Sequence, residues 1–359
     1  KFFDKIRGIG IVVDILPNVK LENWKQLTWN SVYSWAHKET KNSEWAKKLY
    51  SSSIEIEKAS SDASFRSYYR IRSNNDTKII MDAPPEKEPL SPFLDITKRL
   101  SKANINVPEI FELDEDLGFI LMSDLGKTKY LDKLNDETVY CLYTDAMDTI
   151  HKMQTEVDVS NLKNFDSKEL ITEMDLFKDW FLGKHLNHNF NGEGLNNIQE
   201  CFNSIIKIIL EIPTTFVHRD FHSRNLMITD SNNPGVLDYQ DALIGPITYD
   251  AVSLLKDCYV NWDKKLITEM LSTYYKKIKA DYNNIEFDEF SFWFDVVGLQ
   301  RHFKAIGIFS RLNYRDNKIT FMRDIPRTYK YVDEVINKYT ELTSVKEMLN
   351  EMDIKKRYD

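Results

Sequence analysis

The sequence predicts an α+β protein of two lobes, a small strand-rich lobe followed by a larger helical lobe. Its 359 residues exceed the usual size of a single hydrophobic core. Between residues 50 and 125, short apolar runs alternate with polar residues and turn formers, as in strands. Beyond Gly126, apolar residues recur at helical spacing. We therefore divide the chain into an extension at 1–49, a small lobe with a hinge at 50–125, and a large lobe at 126–359.

The charge and cysteine content of the chain limit the partners and the cellular location that we expect. Lys plus Arg total 48 against 56 Asp plus Glu, giving a net charge of −8, so the chain as a whole does not attract nucleic acid or an anionic membrane. Any anionic ligand must meet a local basic cluster. The three cysteines, Cys141, Cys201 and Cys258, form neither a disulfide framework nor a zinc motif. We expect a cytoplasmic protein with no nucleic-acid or membrane partner and no evident stable protein partner.

The extension at 1–49 has the weakest pattern of the three regions. Its large apolar residues recur at roughly helical spacing: Trp24, Leu27, Val32, Trp35, Trp45 and Leu49. They predict one or two helices that pack onto the next lobe. A partner-binding or regulatory role for this region is the alternative interpretation.

The small lobe reads as strands around one helix. A strand ends before an Asn-Asn-Asp turn, and Lys78–Met81 supplies the next strand. Ser91–Leu100 is predicted to be a helix, because its apolar residues fall at helical spacing and Pro92 lies in its first turn. Phe119–Met122 is predicted to be the strand that leads into the hinge between the lobes.

The large lobe is predicted to be mostly helical. Apolar faces at helical spacing occur at Val139–Met153 and Ile198–Ile209. Further helices are predicted at Leu266–Ile278 and Phe287–Phe309. The helix at Ile198–Ile209 directly precedes the segment that carries the predicted functional residues.

That segment brings three oxygen-bearing side chains together. Asp220 and Asn225 lie in one loop between short apolar runs that read as strands, and a turn-rich stretch then returns the chain to Asp238. Phosphoryl transfer requires a carboxylate near the acceptor hydroxyl and a separate Asp/Asn pair for Mg²⁺. Asp220 suits the first role, and Asn225 and Asp238 suit the second, because Mg²⁺ prefers hard oxygen ligands. Surface turns punctuated by Asp and Asn are the alternative.

The motif carries a resemblance to a known family. The run His218-Arg-Asp-Phe-His-Ser-Arg-Asn225 matches the kinase catalytic-loop signature at full length, yet the chain has no Asp-Phe-Gly or Ala-Pro-Glu. It resembles the aminoglycoside phosphotransferase-like branch of the protein-kinase-like fold, and within it the bacterial anomeric kinases of N-acetylmuramate and N-acetylglucosamine. The shared segments, between about Ser60 and Asp316, include Met81–Glu86, Pro92–Asp95, Leu237–Ala242, Gly245–Asp250 and Gln300–His302.

The resemblance implies an ATP- and Mg²⁺-dependent kinase that phosphorylates the anomeric hydroxyl of a small amino sugar in cell-wall recycling. One alternative is a kinase of another hydroxylated small molecule, such as an aminoglycoside. A second is a nucleotide-binding pseudokinase that acts as a scaffold, since no lysine appears inside the strand where protein kinases hold the α and β phosphates. Arg66, Arg70 and Lys87 are candidates for that cation.

Nucleotide contacts are predicted at two places. The tip before the first arginine-rich strand contains Ser61 and Ser64, whose small size would let backbone N–H groups approach phosphate. A plain turn explains this tip equally well. Arg66 follows it. By resemblance, backbone groups between Met122 and Asp124 contact adenine, and an edge strand with a turn fits the same residues.

Three residues near the catalytic motif have predicted supporting or substrate roles. His218 is expected to brace the loop, and by resemblance Asp250 hydrogen-bonds the same loop from the following helix. Asp241 either faces the acceptor sugar or caps the next turn.

A basic stripe is predicted on the helix after Gly298. Arg301, Lys304, Arg311 and Arg315 project within about 80° of one another at 100° per residue if Gly307 does not interrupt the helix. Such a stripe suits an anionic acceptor and repels a polycationic one. Arg301 and Arg311 are therefore predicted to contact substrate, and a solvated face is the alternative.

Overall fold

The computed structural model describes residues 44–49, 54–61, 65–73 and 76–354. Most of the extension at 1–49, for which one or two helices are predicted, lies outside this range, as does Ser64. Ser61 is the last residue of the first strand. Within the described part of the chain, no helix has the length and hydropathy needed to cross a bilayer.

In the part of the chain that the structure describes, the small lobe is an antiparallel sheet of five strands, β1 (Glu55–Ser61), β2 (Ser67–Ser73), β3 (Asp76–Asp82), β4 (Ile110–Asp114) and β5 (Phe119–Ser123). The strand order in the sheet is β1-β2-β3-β5-β4. β2 and β3 pair in one register from Ser67 opposite Asp82 to Ser73 opposite Asp76. β2 therefore ends just before the predicted Asn-Asn-Asp turn, and β3 begins at Asp76.

The two faces of this sheet are covered differently. Residues 44–49 are helical, and Trp45 packs on Phe119 of β5 with ring centroids 5.6 Å apart. Alternate residues of β5 join the main core instead. On that side lies helix α1 (Ser91–Lys102), which buries Phe93 and Ile96. The sheet is thus packed on both faces, and α1 connects it to the rest of the core.

The large lobe is helical, as the sequence predicts. Its helices are α2 (Val139–Glu156), α3 (Ser167–Leu176), α4 (Gly192–Leu210), α5 (Tyr249–Leu255), α6 (Lys264–Asp281), α7 (Phe287–Asp316), α8 (Ile325–Ile336) and α9 (Thr343–Glu351), and a π-helix at Phe177–His185 follows α3 directly. Asp166, Asn191 and Asp263 cap α3, α4 and α6 by accepting backbone N–H groups of the first turn. The predicted two-lobed α+β fold is confirmed.

Helix α7 is the central helix of this lobe and continues through Gly307. A Cβ on Gly307 would lie 2.3 Å from the carbonyl carbon of Leu176 and 2.5 Å from the nitrogen of Phe177. Only a residue without a side chain allows this approach to the junction of α3 and the π-helix. Phe303, one turn earlier on α7, stacks on Phe177 with centroids 4.4 Å apart. The glycine therefore permits close packing and does not interrupt the helix.

Two small antiparallel pairs hold the segment that carries the kinase motif. β6 (Thr214–Val217) pairs with β9 (Leu243–Pro246), and β7 (Leu226–Met227) pairs with β8 (Gly235–Val236). Residues 218–225 form the loop between β6 and β7. The β7–β8 hairpin then returns the chain to the same place, so that the residues after β8 lie beside that loop.

Candidate active site

Backbone geometry fixes the direction of the loop at 218–225. Arg219 has φ = +77°, in the left-handed region that non-glycine residues rarely adopt. The fully buried carboxylate of Asp250 accepts hydrogen bonds from the N–H groups of His218 (2.8 Å) and Arg219 (3.1 Å). Because Asp250 lies in the first turn of α5, the helix anchors the sharp turn that precedes Asp220.

His218 links this turn to the strand that leads to Asp238. Its Nε2 lies 3.1 Å from the carbonyl oxygen of Leu237, and its Nδ1 accepts the N–H of Asp220 at 3.3 Å. A carbonyl can only accept, so the imidazole carries its proton on Nε2 and is neutral. Burial lowers the pKa of His218 to about 4, in agreement with this neutral form.

Asn225 and Asp238 face each other across the two strands. The side-chain amide of Asn225 donates to the backbone oxygen of Asp220 (3.0 Å) and to Oδ2 of Asp238 (3.3 Å). Asp238 has φ = +64°, and its Oδ1 accepts from Gln240 at 2.8 Å. With both amide hydrogens used, Oδ1 of Asn225 is the atom oriented to accept a cation.

One carboxylate and one amide oxygen suit Mg²⁺, which takes few protein ligands and completes its shell with phosphate and water. No cluster of three or more His, Cys, Asp or Glu residues suited to a metal occurs among the residues that the structure describes. The donor pair therefore fits Mg²⁺ better than zinc, which requires three or four protein ligands.

Asp220 projects from the loop into a field of positive charge. Its side chain is 39% exposed, and Oδ1 lies 3.9 Å from Nη2 of the buried Arg301. Burial acts to raise the pKa of Asp220. The charges of Lys304, Arg301 and Arg219 outweigh burial and hold that pKa well below the usual range of an aspartate. Asp220 is consequently an ionised hydrogen-bond acceptor throughout the neutral range.

A buried glutamate organises these cations. Glu173 of α3 is 5% exposed and accepts hydrogen bonds from Lys304 (2.9 Å), from Gln300 (2.9 Å) and from Arg219. Burial acts to raise the pKa of Glu173, and the neighbouring Lys304 and Arg219 lower it overall. The glutamate thus ties α3, α7 and the catalytic loop together.

The sequence interpretation did not identify Glu173. A signal for it exists in the pattern of α3, because Glu173 lies on the same helix face as the buried Leu170 and Met174. A carboxylate on an apolar face requires buried partners. Those partners lie on distant parts of the chain, so the pattern alone does not name them.

The predicted basic stripe divides into separate environments. Arg301 and Lys304 are directed at Asp220 and Glu173, so the solvated-face alternative is wrong for these two. Arg311 is half-buried and forms no hydrogen bond or ion pair with any residue the structure describes, and its Nε is buried. Arg315 is exposed and pairs with Asp316 at 2.8 Å.

The cleft between the lobes has a volume of about 320 Å³, within the range typical of small-molecule sites. Its lining combines the inner surface of the sheet, the hinge and the catalytic hairpin, and includes Tyr68, Ile79, Met122, Asp124, Asn225, Met227 and Asp238. The predicted hinge residues and the predicted metal residues therefore line one continuous space.

Asp124 has a structural partner in this cleft. Its carboxylate accepts Nε of Arg70 at 2.5 Å and Nη2 at 3.0 Å, and the same guanidinium donates to the backbone oxygen of Gly126 at 2.9 Å. This fork joins β2 to the hinge. The side chain of Asp124 thus fixes the hinge, while the adenine contact predicted for its backbone stays a prediction.

The other candidate cations point elsewhere. Arg66 is buried against Glu88 at 3.1 Å and does not line the cleft, and Lys87 lies over the ring of Phe65. β3 does include a lysine, Lys78, but its Nζ lies 4.5 Å above the ring of Phe111 on the edge strand. None of these three is placed at the cleft.

Asp241 lies at the surface, on the turn before β9. Nη1 of Arg219 donates to its backbone oxygen at 3.4 Å. The carboxylate itself is exposed. Its predicted contact with an acceptor sugar therefore stays a prediction.

Comparison with known proteins agrees with this geometry. Residues 55–287 match the model of the phosphotransferase enzyme family. The chain is 40% identical over 300 residues to the N-acetylmuramate/N-acetylglucosamine kinase of Pseudomonas aeruginosa, which covers 82% of this chain and 88% of that protein. It is 36% identical over 301 residues to the kinase of the same name from Neisseria meningitidis serogroup B, covering 82% of this chain and 89% of that protein.

Solved structures show the same fold at low sequence identity. The choline kinase of Streptococcus pneumoniae superposes with a TM-score of 0.61 at 10% identity, covering 83% of this chain and 99% of that one. The ADP-bound aminoglycoside phosphotransferase APH(2'')-Ib gives a TM-score of 0.55 at 16% identity, with coverages of 82% and 97%. These structures show the fold, and the family match and the curated relatives establish that the chain belongs to the phosphotransferase enzyme family.

Proposed function

We propose that this protein is an ATP- and Mg²⁺-dependent kinase of the anomeric hydroxyl of N-acetylmuramate, N-acetylglucosamine or both. The observation that carries the proposal is the position of Asp220, an ionised carboxylate on the loop that also holds Asn225, beside the Asn225–Asp238 pair that lines the cleft. The names of the relatives supply the acceptor class.

Asn225, Asp238 and Asp220 have different roles in the proposed reaction. Asn225 and Asp238 hold Mg²⁺, which neutralises phosphate charge when bound. Asp220 accepts a hydrogen bond from the acceptor hydroxyl and orients its oxygen toward the terminal phosphorus. Because the pKa of Asp220 is far below neutrality, the carboxylate is a weak base. It therefore takes the proton late, as the acceptor oxygen bonds to phosphorus, which suits a loose phosphoryl-transfer transition state.

Arg301 and Arg311 take different roles in this proposal. Arg301 is 5% exposed and lies against Asp220, so we assign it to holding the carboxylate ionised and in place. Arg311 has a buried Nε without a described partner. It is the better candidate for an anionic acceptor group such as the carboxylate of N-acetylmuramate, since a guanidinium matches a carboxylate geometrically.

The proposal is tested by incubating the protein with Mg-ATP and each N-acetyl sugar and recording ³¹P NMR of the product. A sugar phosphate whose phosphorus couples to the anomeric proton is expected. Asp220→Asn should reduce turnover by at least about 100-fold while ATP binding stays within about threefold of wild type. Undiminished turnover by that variant would exclude Asp220 from the mechanism.

The same experiment separates the alternative functions. Phosphorylation of an aminoglycoside but of neither sugar would assign a different acceptor class. ATP binding without turnover of any acceptor would favour the nucleotide-binding scaffold.

A further inference from the structure

The cleft is lined by basic side chains, and for most of them the sequence predicted no contact with the nucleotide. Among the residues that the structure describes, four cations line it: Arg70, Lys127, Lys129 and Arg224. Arg70 is committed to Asp124 through two hydrogen bonds. Lys127 is paired with Glu57 at 2.8 Å. Charge already neutralised by a carboxylate contributes little to holding phosphate, so Lys129 and Arg224 remain.

Arg224 directly precedes the metal residue Asn225 and is held by aromatic rings. Its guanidinium carbon lies 4.6 Å from the ring centre of Tyr259 and 5.5 Å from that of Phe321. Its guanidinium forms no hydrogen bond or ion pair with any residue of the described chain. Cation–π contacts stabilise the charge but satisfy none of the five N–H donors.

The rings that hold Arg224 are themselves fixed by other rings. Tyr259 meets His222 of the catalytic loop edge-on at 5.3 Å and lies 6.2 Å from Phe309 of α7. Phe309 stacks on Phe321 at 5.8 Å. The guanidinium is therefore positioned before any ligand binds, which lowers the entropy cost of using it.

From this we infer that Arg224 binds the terminal phosphate of ATP and supplies the cation that β3 does not place in the cleft. The inference rests on the proposed kinase function. The location of Arg224 favours a phosphate ligand. Arg224 lines the same cleft as the hinge, and it directly precedes Asn225 of the predicted metal pair. A planar guanidinium also forms two parallel bonds to a phosphate, which an ammonium cannot.

Arg224 forms and breaks no covalent bond in the phosphoryl transfer. The acceptor oxygen forms a bond to the terminal phosphorus as the bond from that phosphorus to the bridging oxygen breaks. The electron pair of the broken bond leaves with ADP, and the hydroxyl proton passes to Asp220. Arg224 holds two non-bridging oxygens throughout and stabilises their charge.

The test compares ATP with ADP, since only ATP carries the phosphate in question. Arg224→Gln should weaken ATP binding about tenfold or more and leave ADP binding unchanged, measured by calorimetry with Mg²⁺ and no acceptor. Its kcat should fall about 100- to 1,000-fold, by the same factor with N-acetylglucosamine and N-acetylmuramate. Arg224→Lys should recover part of the affinity and less of the turnover.

Arg323→Gln is the matched control. Arg323 lies with Phe321 on the 3₁₀-helix Ile319–Asp324, and its side chain is 80% exposed. Its removal deletes one positive charge near the site without touching the cleft, so ATP affinity should stay at the wild-type value. Melting temperatures of all variants report whether the fold is retained, and Arg224→Lys carries the comparison if Arg224→Gln does not fold.

Several results would overturn the inference. A loss confined to N-acetylmuramate would assign Arg224 to the carboxylate of the acceptor. Equal losses of ATP and ADP affinity would assign it to the shape of the cleft. Selective loss of ATP affinity in Lys129→Met but not in Arg224→Gln would assign the phosphate to Lys129. ATP affinity is measured without a sugar, so failure of the proposed acceptor chemistry would appear separately, as absence of product.

Discussion

Replacing Arg301 by methionine should change the ionisation of Asp220 in a measurable direction. Arg301 keeps a positive charge 3.9 Å from Oδ1 of that aspartate. At an effective dielectric constant of about 20, two unit charges at this distance interact by about 4 kcal/mol. The side chain of Asp220 is 39% exposed, so solvent screening reduces this to about 2 kcal/mol. That corresponds to about 1.5 pKa units.

The sign of the effect follows from the direction of the shift. In the wild type the pKa of Asp220 is depressed, so the carboxylate stays ionised and kcat/KM should not fall on the acid side until below the usual pKa of aspartate, about 3.9. Arg301→Met removes one depressing charge. The acid limb of kcat/KM should therefore move upward by about 1 to 2 pH units.

The expected wild-type acid limb lies below about pH 4, so the assay is the carboxyl ¹³C NMR titration of Asp220, recorded together with kcat/KM from about pH 8 down to the lowest pH at which the protein stays folded. Arg301→Lys is the control, because it keeps the charge and should keep the wild-type acid limb. The reasoning is refuted if Asp220 of Arg301→Met begins to take up a proton at the same pH as Asp220 of the wild type. It is also refuted if Arg301→Lys shifts as far as Arg301→Met.

Two further predictions concern the buried network and the packing of α7. Glu173→Gln should destabilise the fold by about 3 to 5 kcal/mol at pH 7, because it leaves buried cations unpaired. The folded-state pKa of Glu173 is depressed, so its stabilisation is present above the usual pKa of a glutamate and is lost as the pH falls through the folded value. Denaturant unfolding should show a difference from wild type that is constant down to about pH 4.5 and shrinks below it, and a difference that stays constant below that pH would contradict this. Gly307→Ala should cost about 3 kcal/mol, since its Cβ would lie 2.3 Å from the Leu176 backbone. Gly298→Ala, whose Cβ would meet Val252 at an ordinary 3.5 Å, should be neutral or stabilising by up to about 1 kcal/mol, and equal melting temperatures for the two variants would count against the close-packing argument.

Some predictions from the sequence still await such experiments. The boundaries at 49 and 125, the phosphate contacts of Ser61 and Ser64, and the acceptor contact of Asp241 stay predictions. The sequence makes Arg66 a candidate for the cation that binds phosphate, because it follows the predicted tip that contains Ser61 and Ser64. Its guanidinium instead meets Glu88, a partner that the local pattern does not reveal.

The loop at 218–225 could be predicted from the sequence because its polar residues lie close together along the chain. Asp220 and Asn225 share one loop, and Asp238 returns on a hairpin of a few residues, so spacing and turn formers are enough to bring the three together. The strand and helix patterns likewise follow from periods of 2 and 3.6 residues. These features do not depend on which distant segment packs against them.

Only the tertiary structure decided the charges around that loop. Glu173 lies on α3, Arg301 and Lys304 lie on α7, and Arg70 joins the hinge from β2. Whether a cation on a helix is solvated or buried against a carboxylate depends on how closely that helix approaches its neighbours, which here is set by Gly307 against the Leu176 backbone. The sequence by itself therefore predicted which groups react. Their ionisation and the choice of phosphate-binding cation depend on burial and on separations of a few ångströms between segments far apart in the chain, because electrostatic energy varies with distance and local dielectric.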